Sequence, residues 1–420
     1  MKKIYLLSLV AFAMTSFMAK GQFSLTGEIR PRTELYNGNN VRLATSDDRI
    51  GIATQQRTRL YFNYVDSTGL KIVFSPQVIN FWGQSPQFVD LLADGVPGGV
   101  AESTFSVFEA YAEYAANDWY TLKVGRQAIS YGDQRWFGAL GWAASGRAHD
   151  AFVNKLSFGK AKVDVGVALN QTRHTNGTNV ASIQGVRTGY KSLQYLWATL
   201  PVRKLKIQAM ATNEVLNTSV EGVDYQNRTT FGLLPSLQSD NIAINASAYW
   251  QTGNNLSASL YAFDLTYKGF GIPITLGADV VSGDDASTTE DEAWKQPFGT
   301  NHKFYGFMDF FYVGPGEAVG LNDFYVKSVI KTGSKSKLIA FVHQLTTNQE
   351  IMNLEGEMES GSYGTEIDLV YDLSVSKAFN FKFGYSTIFA TELLEAYKGG
   401  DSGEYSQWAW MQLTFKPRFL

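Results

Sequence analysis

The chain has 420 residues, a formal net charge of −3 and no cysteine. Without cysteine there is no disulfide framework and no thiolate metal site. A net charge so near zero gives no global attraction to nucleic acid or anionic lipid.

The N-terminus reads "MKKIYLLSLVAFAMTSFMAKGQ". Lys2 and Lys3 form a positive n-region, Ile4 to Met18 a short apolar core, and Ala19 and Gly21 are small residues before a cut at Gln22. Residues 1–21 read as a secretory signal peptide, too short and wrongly flanked for a membrane span. Beyond residue 22 no run reaches the roughly 18 apolar residues of a transmembrane helix. Residues 22–420 are therefore expected to leave the cytoplasm without a helical anchor.

From there the side chains alternate. The aromatic load, 28 Phe, 22 Tyr and 9 Trp, is spread as single residues between polar ones. In "WAWMQLTFKPRFL", Ala409, Met411, Leu413 and Phe415 share one face, and Gln412, Thr414 and Lys416 share the other. Strict alternation marks a strand with one apolar and one wet face. Eighteen such segments follow in chain order: 24–35, 56–66, 70–80, 105–116, 119–128, 149–158, 161–172, 192–201, 204–214, 227–237, 241–251, 256–267, 272–282, 322–332, 337–346, 364–374, 379–390 and 406–419. Each is close to the roughly 9–11 residues that cross a bilayer as a tilted strand.

Short and long connections alternate, with long ones at 36–55, 81–104, 129–148, 173–191, 283–321, 347–363 and 391–405. Short turns on one rim and long loops on the other characterise an outer-membrane barrel with both termini on the periplasmic side. In hydrocarbon every backbone N–H and C=O needs a partner, so such a sheet must close. The expected fold is all-β, a transmembrane antiparallel up-and-down barrel of about 18 strands. The connection 252–255 is short where this scheme wants an outer loop. "HKFYGFMDFFYVG" (302–314) has strand-like content but is assigned to a long loop, because one more strand would break the even count.

The polar face of each strand should line the lumen. The first strand places Glu28, Arg30, Arg32 and Glu34 there, and the second Arg57 and Arg59. The fourth adds Glu109 and Glu113, with Phe108, Ala110, Ala112 and Tyr114 toward lipid. Lys123, Asp164, Arg228, Asp264, Asp279, Lys327, Lys331, Glu366 and Asp368 complete the set. A single one of these is best read as part of a salt-bridge ladder. As a set, facing rows of opposite charge give the transverse field that solute-selective pores use.

The loop after the fifth strand lies in "GRQAISYGDQRWFGALGWAASGRAHDA" (125–151). Its glycines allow sharp turns. Arg126, Arg135 and Arg147 offer planar forks for carboxylates or phosphates, with Asp133 and Asp150 to hold them. Trp136, Phe137 and Trp142 are amphipathic wedges, so the loop can fold into the mouth and narrow it. "VGRQAISYGDQRWFG" and "GWAASGRAHDA", with "GEIRPRTELY", "AYWQTG" and "WAWMQLTFKPRF", resemble the alginate-export family of outer-membrane porins. That resemblance implies an 18-stranded barrel whose arginine-rich constriction passes an anionic polysaccharide. It makes Arg30, Arg32, Arg57, Arg59, Arg126, Arg135 and Arg147 pore or constriction residues.

A hydrolase would need a nucleophile and an oriented base. The four histidines, His149, His174, His302 and His343, include no pair at metal-helix spacing. His149 adjoins Asp150, but neighbours on a strand face opposite ways. The expectation is therefore a non-enzymatic channel in the outer membrane of a Gram-negative cell, with no cofactor and no metal. Its partners would be outer-membrane lipid and anionic oligo- or polysaccharides or small anions, with no nucleic acid. A general or otherwise specific diffusion porin without polysaccharide preference shares every one of these features, and an outer-membrane enzyme or adhesin fits fewer of them.

Overall fold

The computed structural model describes residues 21–38, 41–83, 104–170, 173–174, 180–181, 189–217, 225–285, 287–312 and 318–420. The signal-peptide expectation for 1–21 lies outside these residues except at Gly21. Eighteen strands form one sheet. They are β1 (Gly21–Asn37), β2 (Gly51–Asp66), β3 (Leu70–Phe81), β4 (Thr104–Asn117), β5 (Tyr120–Gln127) and β6 (His149–Phe158). Then come β7 (Ala161–Leu169), β8 (Tyr190–Val202), β9 (Leu205–Asn217), β10 (Tyr225–Gln238), β11 (Ile242–Gly253) and β12 (Leu256–Tyr267). The last six are β13 (Ile274–Val281), β14 (Leu321–Lys331), β15 (Ser336–Thr346), β16 (Ser362–Ser376), β17 (Phe379–Ala390) and β18 (Ser406–Phe415).

Each strand pairs antiparallel with its sequence neighbours, and β1 also pairs with β18, from Ile29 opposite Phe415 to Asn37 opposite Gln407. The barrel is closed and has no free edge, which leaves every ladder group a partner. No helix among the described residues is long and apolar enough to cross a membrane; the crossing elements are strands. All eighteen segments read from the alternation are strands, with ends that differ from the reading by up to five residues.

The outer face carries exposed apolar side chains all round, among them Leu60, Val165, Leu233, Phe263, Val326, Phe383 and Met411. The short β11–β12 connection is a two-residue turn at Asn254 and Asn255, both left-handed at φ 49° and 64°. Two successive positive φ values match the right-handed twist of a hairpin, and asparagine tolerates them. The long β13–β14 connection folds back over this turn, since Ser257 N–H donates to Asp291 O at 3.0 Å. The segment 302–312 is indeed loop. Tyr305, Gly306, Asp309 and Tyr312 are all left-handed, which no regular strand permits.

One correction concerns β4. Phe108 does not face lipid. Ser75 pairs with Glu109 and Pro76 with Val107, so Phe108 is the extra residue of a β-bulge. A bulge sets two residues against one and breaks the alternation. Phe108 points inward, its ring 3.5 Å beneath the Arg59 guanidinium.

Candidate functional site

Two loops cross the lumen: 128–148 between β5 and β6, and the described residues of the β13–β14 connection, 282–285, 287–312 and 318–320. They touch inward side chains from nearly all sides of the ring. Against each other they make a backbone seam. Gly138 N–H donates to Phe298 O at 2.8 Å, and Thr300 N–H to Gln134 O at 2.9 Å. Arg147 adds a side-chain link to Gly299 O at 2.7 Å, and burial pushes its pKa down to about 10. Beside the seam lies an aromatic hub. Phe137 stacks on Phe298 at 12°, and Trp136 meets Trp294 and Phe298 edge-on. Trp136, Phe137 and Trp294 are fully buried, each contributing roughly 2–3 kcal/mol from apolar burial.

On one side the first loop is clamped to β1 and β2. Arg30 donates to the carbonyls of Gly141 at 2.6 Å, Trp142 at 3.0 Å and Ala143 at 3.1 Å. Arg32 donates to Trp142 O at 2.7 Å, and its guanidinium sits 3.7 Å over the Trp142 ring. Arg57 reaches Ala144 O at 3.3 Å, and Arg59 reaches Ser145 O at 3.3 Å. Carboxylates and an amide steady the row: Glu28 with Arg57, Glu34 with Arg32, and Gln77 with Arg59. All four arginines are buried. Hydrogen bonds from a charged donor are worth about 1.5–3 kcal/mol each, so five consecutive carbonyls, 141–145, are firmly held.

Across the lumen the same loop grips β11 and β13. Arg135 bonds Asp279 at 2.8 Å and the Tyr305 hydroxyl at 3.1 Å. Burial opposes its charge, but Asp279 and Tyr305 outweigh that and hold its pKa well above the ordinary value. Asp133 accepts from Ser247 Oγ at 2.7 Å and Tyr249 OH at 2.8 Å. The second loop hangs on β16: Phe307 N–H donates to Asp368 at 3.3 Å and Met308 N–H to Glu366 at 2.7 Å. His343 on β15 bonds Asp323 on β14 at 2.9 Å.

The sequence-derived candidates divide accordingly. Glu28, Arg30, Arg32, Glu34, Arg57 and Arg59 are brought together. Arg135, Asp133 and Arg147 lie in the loops but not on that patch. Glu109 accepts from Ala128 N–H at 3.0 Å, and Glu113 pairs with Lys155 at 2.8 Å, both holding the wall near β5 and β6. Arg126 is a correction. It is still within β5, and Gln127 beside it is buried, as is His149 opposite. Arg126 therefore faces outward with Asp150, which it pairs at 3.1 Å. Alternation, not loop geometry, decides its direction. His149 turns inward and bonds Tyr190 OH at 2.7 Å.

Beneath the loops two cavities open along the inner wall. One of about 490 Å³ lies between β9 and β15, with Lys303, Tyr305, Lys327 and His343 in its lining. The other, of about 560 Å³, lies along β1, β2 and β16–β18, with Arg30, Arg57, Lys382 and Lys416. Lys303 was not singled out by sequence, because it sits in a segment with no alternation to give its direction. Among the described residues no group of three or more His, Asp or Glu side chains is placed to hold a metal.

The closed barrel fold recurs in solved structures. The crystal structure of OccAB4 of Acinetobacter baumannii matches with a TM-score of 0.61 at 11% identity, over 95% of this chain and 98% of that one. OccK8 (OprE) of Pseudomonas aeruginosa matches at 0.62 and 10%, over 95% and 99%. The outer membrane protein opdK of the same organism matches at 0.60 and 9%, over 94% and 99%. The chain has the fold of an outer-membrane barrel. No protein-family model and no curated protein matches the sequence, so the alginate-export resemblance stands on its motifs alone.

Proposed function

We propose that the chain is an outer-membrane channel, not an enzyme, that admits anionic solutes, and that it is exported with a cleaved signal peptide. The observation that carries this reading is the division of the wall. Its outer face is an apolar band, while its inner face is charged and is narrowed by two anchored loops to cavities of a few hundred Å³. The basic row Arg30, Arg32, Arg57 and Arg59 supports the anionic preference through its field. Its N–H groups are occupied by loop carbonyls, so it attracts rather than grips. Buried charges at close quarters act more strongly than exposed ones.

The motif resemblance favours an acidic polysaccharide such as alginate as the solute. A smaller anion is the second reading, and the loops favour it: an extended polymer would have to pass a seam closed by backbone hydrogen bonds. Planar-bilayer recording of the purified protein tests both. Reversal potentials in a salt gradient should report anion preference, and polyuronate should block if polymer is the solute. A cation-selective or non-conducting protein would sink the channel reading as stated.

A further inference from the structure

The arginines that face the lumen are engaged by the protein itself. Those of β1 and β2 hold the loop, Arg135 holds Asp279, and Arg228 closes on Glu214 through two nitrogens at 2.7 and 2.8 Å. The lysines of the 490 Å³ cavity are different. Lys303 enters from the second loop, Lys327 from β14 and Lys206 from β9. Among the described residues none of the three has a carboxylate within the 4.0 Å of an ion pair. Lys327 feels the charge of Lys303 and, in the opposite sense, that of Asp264, while Lys303 feels Asp133. Lys303 donates to Asp133 O at 3.2 Å, and the Lys327 ammonium lies 4.5 Å from the Phe341 ring.

The carboxylates lining the same cavity already have donors. Asp279 takes Arg135, Asp323 takes His343, Asp133 takes Ser247 and Tyr249, and Asp264 accepts from Asn245 Nδ2 at 2.8 Å. Among the described residues, what faces the open space without a carboxylate in contact is therefore ammonium. An ammonium is a compact charge with three rotatable donors, whereas carboxylate recognition is best served by a planar, two-pronged guanidinium. Among the described residues no guanidinium fork is free here, and an ammonium, a point charge without a fork, is a regular ligand of phosphate oxygens. The rest of the lining, the rings of Tyr325 and Phe341 with the amides of Gln208 and Asn245, offers an apolar face and hydrogen bonds to a hydroxylated ring.

We propose that this cavity is a binding site for a phosphorylated, sugar-sized solute, with its phosphate held between Lys303 and Lys327. The inference rests on the channel reading for its place in transport, but the site can be tested without it. Calorimetric titration of the detergent-folded full chain at low salt, with glucose 6-phosphate, glucuronate and glucose, compares one ring bearing three head groups. Glucose 6-phosphate should bind roughly tenfold tighter than glucuronate, glucose should give no heat, and added salt should weaken the phosphate. Lys303→Ala with Lys327→Ala should lose at least about tenfold of that binding, while Lys204→Ala in the β8–β9 turn should lose none. Comparison of the three sugars needs no variant, so a folding failure in the double substitution does not blunt it. Glucuronate binding as tightly as the phosphate, or a folded double variant that binds unchanged, overturns the site. Phosphate discrimination in a protein that conducts nothing in bilayers would keep the site and remove the channel. Conduction without discrimination would do the reverse.

Discussion

Arg57 and Glu28 form a buried ion pair between β1 and β2, Nε to carboxylate at 2.7 Å, on the diagonal two residues along from Arg59, which lies directly opposite Glu28. The same guanidinium reaches the carbonyls of Ala143 and Ala144. One side chain thus joins the wall to the loop that narrows the lumen.

Arg57→Ala should be costly for that reason. It leaves Glu28, 3% exposed, with Lys416 at 3.4 Å as its remaining cationic partner. Removing one partner of a buried pair destabilises by about 3–5 kcal/mol. Denaturant unfolding followed by unboiled gel mobility should show it, and the 141–145 segment should become open to protease. Arg57→Met with Glu28→Gln should recover much of the loss. Wild-type stability for the single variant would show that the pair is dispensable.

Gly306 sets the second loop on β16. Its φ is +86°, and a Cβ there would collide with the Glu366 carboxylate. Gly306→Ala should cost about 1–2 kcal/mol for the left-handed backbone and also push the 305–308 turn off the wall. Gly356 has a similar φ of +85° with open space around it. Gly356→Ala should cost the backbone term alone. Single-channel conductance should change for Gly306→Ala and not for Gly356→Ala; equal traces would place the turn away from the permeation path.

Trp142 joins the two loops. Its ring stacks on His302 at 4.3 Å and lies under Arg32, while its carbonyl serves the clamp. Trp142→Ala keeps the carbonyl, so the loop should stay anchored and the barrel folded, with unit conductance increased in bilayers. An unchanged conductance would mean that solute passes elsewhere.

The two faces of β7 should respond differently. Val165 is outward and exposed, while Asp164 is inward and accepts from Tyr131 OH at 2.7 Å. Val165→Arg should cost roughly 2–4 kcal/mol if it lies near the bilayer midplane. Asp164→Asn keeps the acceptor and should cost about 1 kcal/mol or less. Folding yields into lipid vesicles distinguish them, and equal costs would argue against lipid contact on the Val165 side.

The strands, their number, their closure and most of the inward set were legible in the alternation, because a period of two carries direction with every residue. That is why Glu28, Arg30, Arg32, Arg57 and Arg59 could be grouped before any contact was known. The alternation misassigned Phe108, where a bulge resets the period, and the motif resemblance misassigned Arg126, whose place in the strand beside inward Gln127 turns it outward. What the arginines do was settled by the folded barrel. Their forks close on carbonyls more than 80 residues away in the chain, and nothing local in a glycine-rich loop marks which carbonyls will arrive. The same holds for the second loop. Its left-handed turns and its grip on Glu366 and Asp368 come from packing inside a closed ring, and a contact made across a lumen leaves no period in the sequence.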